Sequence, residues 1–105
     1  MTRTALLITS FVCIAAQATA AEIDPSRQQE LLYLLKHDCG SCHGMTLKGG
    51  LGPSLLPDAL SGKPAGLLIS TILDGRANTA MPPWKNMLTQ DEAEWLTAQL
   101  QQGVK

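Results

Sequence analysis

The sequence predicts an all-α domain of about three helices joined by irregular loops, and three observations carry that prediction. Three stretches place apolar residues at helical spacing, each with its own start or stop signal. No stretch keeps the alternation that a half-buried strand needs. The 9 glycines and 6 prolines of the 105 residues fall largely between the helical stretches. Hydrophobic residues make up 45% of the chain, too many for disorder, but aromatics only 4%. A core this short of large rings needs something extra to fill its centre.

The first segment is read as lying outside the fold. Arg3 supplies a positive start, residues 5–16 (ALLITSFVCIAA) an uncharged apolar run, and Ala18-Thr19-Ala20 the small residues of a cleavage site. This pattern is that of a secretory signal peptide over residues 1–20, cut after Ala20. The run is shorter than the ~20 apolar residues of a membrane span, so no anchor is expected. Cys13 is read as part of the apolar run and removed with it. The mature domain is then residues 21–105, with 7 basic and 9 acidic side chains. That slight negative balance lacks the clustered basic surface of a nucleic-acid binder. A domain of this size lies close to the limit below which a disulfide, a metal or a similar staple is needed.

Asp24 and Pro25 open the first helix as N-cap and first helical residue. Leu31, Leu32, Leu34 and Leu35 give it a broad apolar face, and it is expected to run to about Asp38. Residues 44–57 read as an irregular loop. A second helix is expected over residues 64–73, with Ala65, Leu68, Ile69 and Ile72 on one face and Gly75 beyond its end. Residues 76–88 form another loop. Thr89-Gln90-Asp91-Glu92 is a capping box that opens the last helix, Ala93, Leu96 and Leu100 form its stripe, and Gly103 can end it.

The first helix delivers Cys39-Gly40-Ser41-Cys42-His43. Cys-x-x-Cys followed directly by His is the attachment signature of a c-type haem. Each thiol adds to one vinyl group, the two-residue spacer lets the sulfurs straddle one porphyrin edge, and the next residue offers a ring nitrogen to the iron. Three other readings compete. A thioredoxin-like pair would sit in a βαβ setting that is missing here. A zinc site needs a fourth ligand, for which only His37 and carboxylates remain. A structural disulfide gives His43 no role. His37, six residues before His43, is read as a surface or capping residue.

Three mature methionines could supply a sixth ligand. Met45 is two residues past His43, too close to reach the opposite face of the haem. Met81 follows His43 by 38 residues, in Thr79-Ala80-Met81-Pro82-Pro83. The two prolines stiffen that loop, and Pro82 biases Met81 towards an extended backbone. Met87, just ahead of the last helix, reads as core filler. His43 with Met81 leaves the iron no open position, which is the ligand set of an electron carrier rather than an enzyme, and the thioether raises the potential.

Haem motif, Gly-Pro, Met-Pro and a capped last helix follow in the order seen in class I cytochromes c, which this chain resembles over most of residues 31–100. The resemblance implies that first and last helices cross beside one covalently bound haem, bringing the leucine face against Leu96 and Leu100. Gly52-Pro53-Ser54-Leu55 matches the family's Gly-Pro-x-Leu loop, implying that the Pro53 carbonyl accepts a hydrogen bond from His43. It also implies an exposed haem edge near Gly40, Ser41, Pro82, Pro83 and Trp84, with Lys48 and Lys85 close by. Lys48, Trp84 and Lys85 are therefore candidates for partner docking, while solvated lysines and a core tryptophan remain the alternative. Members of the class often place an aromatic on the inner face of the last helix, where this chain has Trp95 followed by Leu96.

Residues 38–53 (DCGSCHGMTLKGGLGP), 71–76 (TILDGR) and Met81-Pro82-Pro83-Trp84 are similar to the small periplasmic NirC-type cytochromes of nitrite reductase gene clusters. That resemblance implies a monomeric periplasmic carrier in denitrification, donating single electrons to cytochrome cd1 nitrite reductase. The alternative is electron exchange with proteins that make or insert haem d1.

Overall fold

The computed structural model describes Val12 and residues 22–105. Apart from Val12, the predicted signal segment with its cleavage site and Cys13 lies outside the described residues. Those residues are helical with no strand: α1 Pro25–Leu34, a π-helical turn Leu35–Cys39, α2 Gly40–His43, α3 Pro57–Leu60, α4 Ala65–Asp74 and α5 Gln90–Gln102.

α1 begins as expected. The Asp24 carboxylate accepts from the Ser26 amide at 2.8 Å and Pro25 occupies the first helical position. The helix does not stop at Asp38. It widens into the π turn and continues as α2 through His43, so the whole Cys-x-x-Cys-His motif is helical. α5 carries the expected reciprocal cap: Glu92 N–H donates to Thr89 Oγ1 at 3.2 Å and Thr89 N–H to Glu92 Oε2 at 3.0 Å. Gly103, at φ 91°, ends it.

The core is a leucine cluster of Leu31, Leu35, Leu47, Leu60, Leu88, Leu96 and Leu100. Leu31 and Leu35 come from the first helical run and Leu96 and Leu100 from α5, so the two faces expected to meet share one core. Leu32 and Leu34, on the edges of the predicted leucine face, are only half-buried. Burial of each leucine is worth about 1.5–3 kcal/mol. Trp95 packs half-buried against this cluster while Leu96 takes the fully inward position. Arg27 bridges to Glu92 at 2.6 Å, pinning the first turn of α1 to the first turn of α5.

Three expectations are corrected. Met87 is not core filler: it is 61% exposed, because the turn after Trp84 directs Leu88 inward instead. The 44–57 loop gives way at its end to α3, with Pro57 at its first position. The second helix starts at Ala65, capped by Pro64, and runs to Asp74, one residue past the predicted end.

α4 is the anomaly of the fold. Its sequence AGLLISTILD is strongly apolar, yet it has no buried residue. Leu68, Ile69, Ile72 and Leu73 are half-buried and Leu67 is 52% exposed.

Candidate haem-binding site

His43 ends α2, and the loop that follows folds back onto it. The last carbonyls of a helix lack partners within the helix. Here the Cys42 carbonyl accepts from Gly52 N–H and the His43 carbonyl from Gly49 N–H, both at 2.8 Å. This return places the Pro53 carbonyl oxygen 2.7 Å from His43 Nδ1. A carbonyl only accepts, so Nδ1 carries the hydrogen, and in the neutral ring the lone pair then sits on Nε2. The imidazole is thereby held in one tautomer with one nitrogen free to coordinate. Gly52 permits this approach: a Cβ there would stand 2.8 Å from Nδ1 and Cε1 of the ring.

Cys39 and Cys42 precede it as unpaired thiols, Cys39 half-buried and Cys42 exposed. Burial, helped by the Asp38 charge, pushes the Cys39 thiol up to about 11. It therefore stays protonated at neutral pH and is a poor thiolate nucleophile. His37 is exposed and stacks against Tyr33, with ring centroids 4.1 Å apart, as a surface residue does.

Met81 is presented by a second loop, which caps α4. Gly75 N–H donates to the Thr71 carbonyl, Trp84 N–H to Ile72 and Lys85 N–H to Leu73, at 3.0–3.1 Å. Three of the last four carbonyls of α4 are thus satisfied, two of them by the Met81 loop itself. Within the loop, Arg76 N–H donates to the Met81 carbonyl at 3.2 Å, and the Thr79 hydroxyl accepts from Met81 N–H at 3.3 Å. Gly75, at φ 69° and ψ −168°, lets the chain turn so closely that a Cβ would stand 2.6 Å from the Met81 oxygen. Met81 is half-buried, Met45 and Met87 exposed.

The residues fit a haem. Leu68, Ile72 and Leu73 of α4, with Leu55 and Trp84, pack at the edge of the leucine cluster yet stay only half-buried, so part of this apolar face is left uncovered. A helix with such a face is stable only against another apolar body. The chain also carries two thiols and an imidazole in and beside α2 and a thioether on the loop that caps α4, residue types that could hold a haem c.

A family profile described as "Cytochrome C oxidase, cbb3-type, subunit III" matches residues 27–99. The chain belongs to the class I cytochrome c family. This cytochrome is 47% identical over 97 residues to cytochrome c55X of Pseudomonas aeruginosa, a match covering 92% of this chain and 82% of that one. Its fold matches the solved c-type cytochrome NirC with a TM-score of 0.77 at 52% identity, covering 78% of this chain and 96% of that one. A further likeness is to dihydro-heme d1 dehydrogenase NirN in complex with DHE, with a TM-score of 0.64 and 36% identity. That match takes in 69% of the cytochrome and 16% of the larger protein.

The candidate docking residues are spread differently from one another. Lys48 is exposed, and it is the sole Lys, Arg, Asp or Glu between Cys39 and Pro57. Lys85 is exposed but lies 3.9 Å from Asp74, which offsets its charge. Trp84 is half-buried against the core cluster. Among the described residues no helix is long and apolar enough to cross a membrane. Sequence reasoning missed two groups that serve the site. One is the Ser54 hydroxyl, which donates to the Leu47 carbonyl at 3.2 Å, and the other is the Arg27–Glu92 bridge. Ser54 is the unspecified position of the Gly-Pro-x-Leu loop and Glu92 was read only as part of a helix cap, and each pair is joined only by the fold.

Proposed function

We propose that this cytochrome is an exported, periplasmic carrier of single electrons with one covalent haem. Cys39 and Cys42 would hold that haem by thioethers, and His43 and Met81 would hold its iron. The observation that carries the reading is the His43–Pro53 contact of 2.7 Å, which leaves Nε2 as the coordinating nitrogen beside two unpaired thiols. The haem would supply one-electron Fe(II)/Fe(III) chemistry. The chain's own residues do the rest. Pro53 fixes the ring of His43, the cap on α4 fixes Met81, and the half-buried apolar residues of α4 with Trp84 would offer the haem an apolar surface. With His43 and Met81 both holding the iron, substrate would have no direct access to the metal, which suits a carrier and not an enzyme.

The partner we favour is cytochrome cd1 nitrite reductase in denitrification, met by a monomer of this protein. The support is the likeness to cytochrome NirC and the notable scarcity of acidic residues in the two loops bearing His43 and Met81. A brief encounter through a small interface suits a carrier that must release its partner after one electron. A second reading, electron exchange with a haem d1 maturation protein, is favoured by the likeness to dihydro-heme d1 dehydrogenase.

Intact mass of the exported protein tests the cofactor. The mass should be that of residues 21–105 plus one haem that acid–acetone does not extract. Anaerobic stopped-flow oxidation of the reduced protein by cytochrome cd1 nitrite reductase tests the partner. Rapid oxidation that slows with salt, and slows further in Lys48→Glu, supports it. No oxidation at any salt, with rapid exchange towards a haem d1 maturation protein, selects the second reading.

A further inference from the structure

Pro53 is gripped on both sides. Before it, Gly52 N–H donates to the Cys42 carbonyl at 2.8 Å. After it, two donors converge on one acceptor: the Leu47 carbonyl receives Leu55 N–H at 2.9 Å and the Ser54 hydroxyl at 3.2 Å. The Ser54 oxygen also accepts from Leu56 N–H at 3.2 Å. Leu47 itself has φ 61°, a left-handed conformation that a bulky residue rarely adopts. It is kept there by its surroundings, since its side chain belongs to the leucine core and its amide donates to the Gly44 carbonyl at 2.8 Å. The buried side chain therefore stabilises a turn that aims the Leu47 carbonyl at the two residues following Pro53.

We propose that Ser54 and the left-handed Leu47 are positioning residues that hold the Pro53 carbonyl on His43 Nδ1 and so set the donor strength of His43 towards the iron. The inference rests on the assignment of His43 as an iron ligand. A ring N–H that donates to a fixed carbonyl makes the opposite nitrogen more basic. A more basic ligand favours Fe(III) and lowers the potential. Ser54 is half-buried and touches neither thiol nor imidazole, so it acts only through the backbone.

The test uses the haem-loaded protein with Ser54→Ala and Ser54→Thr. Two quantities are read: solvent exchange of the His43 Nδ1 proton by NMR, and the reduction potential. Ser54→Ala should speed the exchange roughly fivefold, the effect of one net hydrogen bond, and raise the potential. Ser54→Thr, which keeps the hydroxyl, should restore both. Leu47→Gly keeps the backbone angle but deletes the buried anchor, and should move both readouts in the direction of Ser54→Ala. Exchange or potential unchanged in Ser54→Ala, or no recovery in Ser54→Thr, overturns the proposal. The ligand assignment is read separately in oxidised wild-type protein. Absence of hyperfine-shifted His43 ring signals overturns that assignment and the tuning with it, whereas their presence alongside an unresponsive Ser54→Ala overturns the positioning role alone.

Discussion

Arg27 and Glu92, 65 positions apart, are joined through Nε and Oε1 at 2.6 Å, and a second guanidinium nitrogen lies 3.3 Å from Oε2. The same guanidinium reaches Glu30 at 2.7 Å and the Met87 carbonyl at 3.4 Å. One side chain thus ties the first turn of α1 to the cap of α5.

This bridge gives stability a pH dependence. Hydrogen bonding from Arg27, then from the Thr89 amide, holds the Glu92 carboxyl below its usual range. A depressed carboxylate contributes stability that is present above the unfolded value and lost as pH falls through the folded one. The melting temperature of wild-type protein should therefore decline from the ordinary carboxylate range downwards. Arg27→Ala should melt lower at neutral pH and show a shallower acid decline, the difference being small because Arg27 is solvent-accessible. Parallel acid declines in the two proteins would contradict this role.

Met81 and Met87 should behave oppositely. Met81→Ala should abolish the near-infrared Met–Fe(III) band and lower the potential. Met87→Ala should keep the band and change stability by less than about 0.5 kcal/mol, since its side chain is 61% exposed. Near-infrared absorption of both oxidised variants decides. Loss of the band in Met87→Ala alone would reassign the ligand.

Gly75→Ala should damage the Met81 loop without touching a ligand. Its φ of 69° with ψ of −168° is open essentially to glycine only, at a cost of ~1–3 kcal/mol for other residues. The added Cβ would also meet the Met81 oxygen at 2.6 Å. Denaturant unfolding should show the loss of stability, and the Met–Fe(III) band should weaken at neutral pH. Wild-type values for both would mean that the loop can re-form around an alanine.

Without its haem the protein should lose α4 first. Cys39→Ser with Cys42→Ser removes both proposed attachment points. The leucines shared by α1 and α5 remain, but α4 has no buried residue of its own. Hydrogen exchange should show α4 unprotected and α1 with α5 partly protected, with weak near-UV dichroism. Uniform protection and a cooperative melt in this variant would refute it.

What was legible in the sequence was what local chemistry decides. Asp24-Pro25, the Thr89–Glu92 box and Gly103 mark helix ends by bonds within a few residues, and all three stand where expected. The Ala93, Leu96 and Leu100 stripe is buried as its spacing requires. Met87 misled because its neighbour Leu88 competes for the same inward space, and the turn at Trp84 favours Leu88. α3 spans four residues, too few for periodicity, although Pro57 was a visible start. The grip on Pro53 joins Ser54 to Leu47 through a backbone angle that no residue type announces.

The π-helical turn Leu35–Cys39 works as a phase shifter. An α-helix advances about 100° per residue, so an unbroken one would carry the register of Leu31 and Leu35 straight into Cys39, Cys42 and His43. A wider turn resets that angle, and the leucines and the thiols then obey separate azimuths along one continuous rod. Deleting a single residue such as His37 would let the wide turn close to an ordinary α turn with the motif near its present azimuth, whereas inserting one would swing the motif around the axis. Tolerance to substitution and to loss of one residue, with intolerance to insertion, should therefore coexist in the same five residues.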